Sequence, residues 1–445
     1  MRSINARTTR RASFRAIHSS VYCAIPQIIL VLAWTLSGCA VTSDAKQILP
    51  DSPTPAKLTT LTTLTTLAAL AATPTITPSS TPESIVPTST ATWLPDPTAP
   101  FTPTLTAAPL SYEYGPGDFP AGINPLTGLP VASQVNLERR PIVIKVTNFP
   151  RSVRPQWGLS MADHVYEYYI GDAMSRFVGV FYGNDANRVG PIRSARLFDA
   201  HVTRMYHGVF VFGWADDAVL KFLFAPDLKS LMVVERPTSC PPLCRIGPEA
   251  AYNTLFADTT QMADYLTKRR TNNDRQSLDR LYFKLETPPS GNPGERIAIH
   301  YSFFSYHRWK YDAQQGRYLR YQETVDQTGE DDQYAPLVDS LTETQLSTDN
   351  VIVLLIPHQY FKKSASTEIV DQPFLGQGTG FAFRDGQIFP LTWKREATDH
   401  LPELSLPNGS LYPLKPGNTW FELLGVTSEY GQLEDGTWYF DFSIP

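Results

Sequence analysis

The chain has 445 residues, and its 38 basic and 43 acidic residues leave a formal net charge of −5 at pH 7. Removal of the first 38 residues takes away five arginines and no acidic residue, which changes the formal net charge to −10. Such an acidic chain repels other polyanions, so nucleic acid is excluded as a partner. The net charge of the chain also disfavours binding to the anionic headgroups of membrane lipids.

The N-terminus predicts a lipoprotein signal peptide at residues 1–38. Its arginines form a basic region, Ala24 to Leu36 is a short apolar run, and Leu36-Ser-Gly-Cys39 matches a bacterial lipobox. The alternative is an uncleaved membrane anchor, but the apolar run is shorter than the roughly 20 residues that a spanning helix needs. We therefore expect lipidation at Cys39 and a protein held on the extracytoplasmic face of the cell membrane.

Residues 39–111 predict a disordered tether. They are rich in Thr, Pro, Ser and Ala and contain a Leu-Thr-Thr repeat from Leu58 to Leu67. Such a segment buries too little apolar surface to offset the entropy that is lost on ordering. At about 3 Å per residue, an extended tether of this length reaches roughly 200 Å, which suits passage across a wall or a polymer layer.

Residues 112–275 alternate strand-like and helix-like segments, which predicts an α/β domain with a buried sheet. The expected strands are Ile142–Val146, Val165–Ile170, Arg176–Tyr182 and Gly208–Trp214. The expected helices are Leu159–Asp163, Ser194–Tyr206, Asp216–Phe224 and Thr259–Arg270.

Residues 280–445 predict a β-rich (α+β) domain. Turn signals at Gln315-Gly316 and Asp385-Gly386 separate strand-like segments, and Asn350–Ile356 is a continuous apolar run typical of a buried strand. We expect two packed subdomains of ordinary size.

The cysteines predict one disulfide, between Cys240 and Cys244, because an exported chain meets an oxidising compartment. With no histidine nearby, the same pair makes a weak zinc site. The chain has no H-E-x-x-H, G-x-S-x-G or P-loop motif. We therefore assign no metal site, no cofactor and no catalytic residue.

Five residues form a candidate anion-binding site. Arg193 and Arg196 stand at the start of an expected helix, where free backbone N–H groups and the helix dipole favour negative charge. Arg176, Arg154 and Asn148 are expected at the ends of neighbouring elements, where ligands of α/β sheets bind. Arginine binds phosphate or carboxylate through two parallel hydrogen bonds. The alternative is that these arginines form internal salt bridges with the acidic residues Glu167, Asp172 and Asp199.

Motifs between about residues 120 and 425 are shared with one known family. They are Asn124–Pro130, Arg140–Asn148, Gly158–Asp163, Val189–Arg196, Arg384–Gly386, Thr392–Arg395 and Lys415–Trp420. Through these motifs the chain resembles the YerB family of bacterial lipoproteins, whose domains are described as being of unknown function. The resemblance implies a two-domain, exported and lipid-anchored protein and brings no established activity. Tyr252-Asn253 departs from the His-Asn pair that is usual in that family.

Two functions follow as hypotheses. The first is a non-enzymatic, lipid-anchored protein that binds an anionic envelope component such as a cell-wall glycan, a polyprenyl phosphate or a partner protein. The second is a metal-dependent envelope phosphotransferase or hydrolase, because the arginine segment resembles that of the LytR-CpsA-Psr phosphotransferases. Asp163, Glu167 and Asp172 would then be metal ligands or the base. The two hypotheses predict different structures. Carboxylates that converge on the arginines in one cleft would favour catalysis, whereas an arginine site without such carboxylates would favour binding.

Overall fold

The computed structural model describes residues 112–247, 252–327, 333–365 and 367–445. The signal peptide at 1–38, the lipidated Cys39 and the tether at 39–111 lie outside these residues and stay predictions. Among the described helices, none combines the length and the apolarity that crossing a bilayer requires.

The strands of the first region are β1 (Glu113–Tyr114), β2 (Ile142–Thr147), β3 (His164–Gly171), β4 (Met174–Phe181), β5 (Val209–Phe212), β6 (Met232–Val234), β7 (Leu243–Arg245) and β8 (Leu255–Ala257). Its α-helices are α1 (Leu197–Met205), α2 (Asp217–Leu223) and α3 (Met262–Lys268). Short 3-10 turns occur at Gln134–Glu138, Arg151–Val153, Leu159–Met161, Lys229–Leu231 and Thr259–Gln261.

The second region is built from strands. They are β9 (Phe283–Lys284), β10 (Asn292–Pro293), β11 (Arg296–His300), β12 (Tyr306–Asp312), β13 (Arg317–Glu323), β14 (Tyr334–Pro336), β15 (Val338–Asp339), β16 (Thr344–Gln345), β17 (Ser347–Thr348), β18 (Asn350–Ile356), β19 (Gln359–Ser364), β20 (Thr367–Asp371), β21 (Gly376–Arg384), β22 (Gln387–Arg395), β23 (Glu403–Ser405), β24 (Thr419–Gly425), β25 (Glu429–Gln432) and β26 (Trp438–Asp441).

The described chain is mostly β-sheet with few helices. The α/β arrangement expected for residues 112–275 is therefore only partly seen, because the sheet is buried but the helices are short. The helix expected over Ser194–Tyr206 begins at Leu197, since Arg196 has an extended backbone with φ −134° and ψ 170°. The helix expected at Leu159–Asp163 is only a 3-10 turn at Leu159–Met161.

A large mixed sheet lies at the centre of the fold. Within the described residues it has 11 strands, in the order β10-β22-β21-β18-β24-β3-β4-β2-β5-β6, with β23 beside β22. Strand β24 of the second region pairs in parallel with β3 of the first, which places Glu422 beside Glu167. The two regions therefore share one sheet and one ladder of backbone hydrogen bonds.

A second sheet covers one face of the central sheet. In the described part of the chain it has 7 strands, ordered β14-β13-β12-β11-β26-β25 with β17 beside β13. Trp309 of β12 packs on Trp420 of β24 with ring centroids 5.1 Å apart, and Phe177 of β4 contacts the same indole at 5.3 Å. On the opposite face, Phe198 of α1 packs on Tyr168 of β3 at 4.7 Å. The central sheet is thus buried on both faces here.

Candidate functional site

The central strands sort their side chains onto two faces, because successive residues of a strand point to opposite sides. Arg176 of β4 lies in register with Thr147 of β2 and Tyr168 of β3, so these three share a face. Lys145 joins them because it stands two residues before Thr147. Helix α1 covers this face, and its Asp199 accepts hydrogen bonds from both Lys145 and Tyr168.

Arg193 and Arg196 lie on a loop that leads into α1. The Arg193 carbonyl accepts a hydrogen bond from the Gly213 N–H at 3.1 Å, and the Ala195 N–H donates to the Trp214 carbonyl at 2.8 Å. This pairing holds the loop extended beyond the end of β5. The expected helix start is therefore wrong for Arg193, while Arg196 directly precedes the first turn of α1.

The loop and the sheet bring three predicted arginines together. Arg176 Nη1 donates to the Ser194 carbonyl at 2.7 Å, and Arg196 Nη1 donates to the Ala195 carbonyl at 2.9 Å. Burial lowers the pKa of Arg176 well below its usual range, and the positive charges of Arg196 and Arg193 lower it further. We call Arg176, Arg193 and Arg196 the arginine cluster.

The buried carboxylate of Asp199 is already shared among three donors. It accepts hydrogen bonds from Lys145 Nζ at 3.1 Å, from the Tyr168 hydroxyl and from the Arg196 backbone N–H at 2.6 Å. Among the described residues, no carboxylate lies within ion-pairing distance of a guanidinium group of the arginine cluster. None of the three guanidinium groups is therefore paired directly, and Asp199, Asp172 and Asp216 attract Arg196 only at longer range.

The internal salt bridges weighed from the sequence are not formed within the described chain. Asp199 pairs with Lys145 at 3.1 Å, and Glu167 pairs with Arg320 at 2.7 Å. Asp172 is exposed in the turn after β3. Glu167 thus has another partner, whereas Asp172 and Asp199 attract Arg196 without forming a direct ion pair with its guanidinium group.

Lys145 adds a titratable cation to this face. Burial lowers its pKa to about 7, Asp199 partly opposes that shift, and the charges of Arg176 and Arg196 lower the pKa further. The lysine therefore loses its proton near neutral pH, whereas arginine side chains stay protonated. The lasting positive charge of the site resides in the arginine cluster.

An exposed aromatic ring lies against the arginine cluster, and a second exposed aromatic residue lies on the segment paired with the Arg193 loop. The Tyr252 ring lies with its centroid 5.6 Å from the guanidinium carbon of Arg193, and Tyr252 is 78% exposed. Trp214, next to the loop, is 55% exposed. Arg193 Nε is buried without a hydrogen-bond partner among the described residues. Arg193 is therefore the member of the cluster that contacts an exposed ring and keeps an unpaired donor.

Asn148 and Arg154 lie on the other face of the sheet. Asn148 follows Thr147 in the chain, and its Nδ2 donates to Ser175 Oγ at 3.1 Å. Arg154 Nε donates to both oxygens of Asn148 at 3.1 Å, and its Nη2 pairs with Glu323 at 2.7 Å. The five-residue constellation is thus wrong as one site, because a one-residue step along a strand reverses the face.

A buried ionic network, which we call the Arg320 network, lies between the two sheets. It joins Arg320 of β13 to Glu167 of β3 at 2.7 Å and to Glu422 of β24 at 3.3 Å. His307 Nε2 of β12 contacts Glu422 at 2.8 Å, and Trp309 Nε1 donates to Glu422 at 3.0 Å. All five side chains are buried, with at most 1% exposure. Two carboxylates therefore share one guanidinium group.

Our sequence reasoning missed the Arg320 network, although a signal exists. Glu167 and Glu422 each interrupt an otherwise apolar strand, and a buried carboxylate requires a buried partner. The partner is remote in the chain, because Arg320 is 153 residues from Glu167 and 102 residues from Glu422. Lys145 was missed in the same way, inside the apolar strand β2.

The same network contains a metal-like set of donors. One ligand atom from each of Glu167, His307 and Glu422 lies within 4.8 Å of the others. The Arg320 guanidinium already contacts both carboxylates, at 2.7 Å and 3.3 Å, and so supplies the positive charge there. We therefore interpret this cluster as a structural ion pair and not as a metal centre.

The carboxylates of the phosphotransferase hypothesis do not converge. Asp163 precedes β3 and accepts hydrogen bonds from the backbone N–H groups of Tyr182 and Gly183 at 2.6 Å and 2.9 Å. Asp172 follows the opposite end of β3, more than roughly 20 Å away at about 3.3 Å per residue. Glu167 belongs to the Arg320 network. The proposed ligand set is therefore wrong.

Cys240 is bonded to Cys244, the central residue of β7. We expect neither thiol to react with a labelling reagent in the native, unreduced protein. Replacing both with serine should lower the free energy of unfolding by about 2 kcal/mol, because the closed loop is short. Thiol labelling with urea unfolding tests both expectations, and labelling of both cysteines in unreduced exported protein would contradict the pairing.

Comparisons with known proteins agree with this two-region layout. The N-terminal domain of the family described as "Protein of unknown function (DUF3048)" matches residues 126–272, and its C-terminal domain matches residues 297–421. The "Putative lipoprotein YerB" of Bacillus subtilis (strain 168) is 24% identical over 311 residues, which cover 67% of this chain and 85% of that protein.

A solved structure shows the same fold. The crystal structure of the YerB protein from Bacillus subtilis superposes with a TM-score of 0.56 at 22% identity, covering 68% of this chain and 96% of that one. At this identity the likeness concerns the fold alone. The two domain matches, the related lipoprotein and the shared fold lead to one conclusion: the chain belongs to the YerB-like family, whose members combine the N- and C-terminal DUF3048 domains.

Proposed function

We propose that this protein is a lipid-anchored, extracytoplasmic binding protein that holds an anionic component of the cell envelope at the arginine cluster. The ligand carries a phosphate or carboxylate group. A cell-wall glycan, a polyprenyl phosphate and an envelope protein are the candidate sources of that group.

Uncompensated charge is the observation that carries the proposal. The three guanidinium groups have no directly paired carboxylate: Asp172 and Asp216 attract Arg196 only at longer range, and the oxygens of Asp199 are taken by Lys145, Tyr168 and the backbone of Arg196. Gathering like charges out of water costs free energy, which is why the pKa of Arg176 is lowered. A bound anion offsets this cost, and the planar forks of arginine match phosphate and carboxylate oxygens.

The cluster has donors left for such a ligand. Arg193 Nε is buried without a partner among the described residues. Arg176 and Arg196 direct Nη1 to loop carbonyls at 2.7 Å and 2.9 Å, and the described chain offers no partner for Nη2 of either residue. Three side chains can therefore contribute charge-assisted hydrogen bonds to one anion.

Binding is favoured over catalysis by the acidic residues around the cluster. Asp199 is bonded to three donors, so it is poorly placed to act as a base or a metal ligand. Asp163 and Glu167 are bonded elsewhere. Arginines without convergent carboxylates are the arrangement expected of a binding site.

The proposed location rests on two further observations. The related Bacillus subtilis protein is named a lipoprotein, and this chain has a lipobox that ends at Cys39. Lipid attachment at Cys39 and the tether at 39–111 would hold the arginine cluster outside the membrane, within reach of wall polymers.

Substitution of Arg193 tests the binding role. We expect pyrophosphate to raise the melting temperature of the wild-type protein and to bind Arg193→Ala roughly tenfold to a hundredfold more weakly, because one charge-assisted contact is lost. Arg193 is only half-buried, so the variant should fold normally. Calorimetric titration with pyrophosphate and thermal melting measure both effects.

Arg204→Ala is the matched control. Arg204 lies in α1, the helix into which the Arg193 loop leads, and its guanidinium pairs with Asp227 at 2.7 Å. This variant should bind pyrophosphate as the wild type does. If the wild type shows no pyrophosphate-dependent shift in melting temperature, or if both variants lose affinity equally, the proposed site is wrong.

A further inference from the structure

We infer that the anionic ligand is a saccharide, whose acid group binds the arginine cluster while a sugar ring packs against Trp214 and Tyr252. The inference rests on the proposed function, because it names the chemical class of the ligand held by the same arginines. It adds two aromatic residues that none of the family descriptions assigns.

The two aromatic residues flank the Arg193 loop. On one side the Ile192 N–H donates to the Leu255 carbonyl at 2.7 Å, so the segment that contains Tyr252 and Leu255 runs beside the loop. On the other side it binds the Trp214 carbonyl at 2.8 Å. The Tyr252 ring centroid lies 5.6 Å from the Arg193 guanidinium carbon, within cation–π range. Arg193 therefore lies between two segments that each carry an aromatic side chain.

Exposure separates these residues from the other aromatic residues nearby. Trp214 is 55% exposed and Tyr252 is 78% exposed, whereas Phe210 and Phe212 on the adjoining strand are fully buried. Both residues therefore leave apolar ring surface in water, Tyr252 against Arg193 and Trp214 on the segment whose backbone pairs with the Arg193 loop. Apolar surface next to a few convergent polar groups is the usual composition of a ligand site.

A sugar fits this surface better than a hydrocarbon chain does. A pyranose ring can place its C–H face on an aromatic ring while its hydroxyl groups stay hydrated. Tyrosine and tryptophan also have polar edges that can hydrogen-bond to those hydroxyls. Binding of a polyprenyl chain is favourable only where its apolar surface is removed from water. Two rings that are open to solvent cover at most one side of such a chain.

Matched pairs of small anions test the inference on the mature, detergent-solubilised protein. Glucose 1-phosphate and methyl phosphate are both phosphate monoesters, and only the first carries a sugar. Glucuronate and acetate form the equivalent carboxylate pair, so the preferred pair identifies the acid group. By calorimetric titration, we expect the sugar-bearing member of that pair to bind about tenfold more tightly.

Substitutions assign the sugar contact to the two aromatic residues. In Trp214→Ala and Tyr252→Ala the tenfold advantage should disappear, while affinity for the sugar-free anion changes less than about twofold. Trp214→Phe should keep most of the advantage. Phe361→Ala removes another exposed aromatic, 49% exposed and packed on Phe222, and should bind as the wild type does.

The outcomes separate this inference from the proposed function. Equal affinity for both members of each pair, or an advantage that survives Trp214→Ala and Tyr252→Ala, overturns the saccharide assignment and leaves the anion site standing. Failure of every anion to bind the wild-type protein overturns both. Loss of sugar-free anion binding in the aromatic variants also overturns the assignment, because the rings would then support the arginines and not a sugar.

Discussion

Replacing Arg320 with methionine is expected to lower the free energy of unfolding by about 3–5 kcal/mol at pH 7. Arg320 contacts Glu167 at 2.7 Å and Glu422 at 3.3 Å, and all three side chains are fully buried. Its loss leaves Glu167 and Glu422 in the interior without a counter-charge, so each must either keep a buried unpaired charge or bind a proton, and both states cost free energy. Urea unfolding followed by circular dichroism measures the change.

Arg317→Met is the matched control on the same strand. Arg317 pairs with Asp349 at 3.4 Å, but its side chain is 34% exposed, so solvent screens the interaction. Its loss should cost less than about 1 kcal/mol. Adding Glu167→Gln and Glu422→Gln to Arg320→Met should restore more than half of the lost stability. Equal effects at Arg320 and Arg317 would show that the network contributes no more than a surface pair.

The stability difference between the wild type and Glu422→Gln should depend strongly on pH. Burial raises the pKa of Glu422 to about 7, although Arg320 and the hydrogen bonds from Trp309 and Tyr301 oppose that shift. The folded chain therefore holds this proton more tightly than the unfolded chain, whose glutamates titrate near pH 4.3. The stabilisation from protonated Glu422 is complete below that pH and is lost as the pH rises through 7.

Relative to Glu422→Gln, the wild type should therefore lose about 3 kcal/mol of stability between pH 4.5 and pH 7.5. His164, whose pKa burial lowers to about 4, lies outside the Arg320 network, so its titration is the same in both proteins and cancels in the difference. Urea unfolding of both proteins at several pH values measures this difference in the free energy of unfolding. A difference that stays constant with pH, or that grows in favour of the wild type as pH rises, would contradict the assignment.

Local sequence patterns predicted several of the buried strands of the central sheet well. The apolar run Asn350–Ile356 is β18 over the same residues, and Ile142–Val146 lies within β2 at Ile142–Thr147. A strand buried on both faces must be apolar along its whole length, so its pattern is local and readable. The helix expected over Ser194–Tyr206 was too long, because the backbone of the Arg193 loop is bound by residues near 213 and cannot enter the helix.

The candidate site was predictable only in part. Arg193 and Arg196 are near neighbours in sequence. Arg176 was expected to lie close to both of them, and it does so in the structure. Asn148 was assigned to the same site, yet it lies one residue beyond Thr147 and therefore on the opposite face. Successive residues of a strand point to opposite faces of the sheet. The sequence does not show which face is covered by the helix and which is covered by the second sheet.

The sequence by itself determined the positions of the main strands, the family resemblance and the arginine-rich segment at Val189–Arg196, because each depends on neighbours along the chain. Only the tertiary structure decided that Lys145 and Asp199 complete the face that carries the arginine cluster, and that Arg320 lies between Glu167 and Glu422. Those contacts join segments from 54 to 153 residues apart. They arise from strand register and sheet packing, which no local pattern encodes.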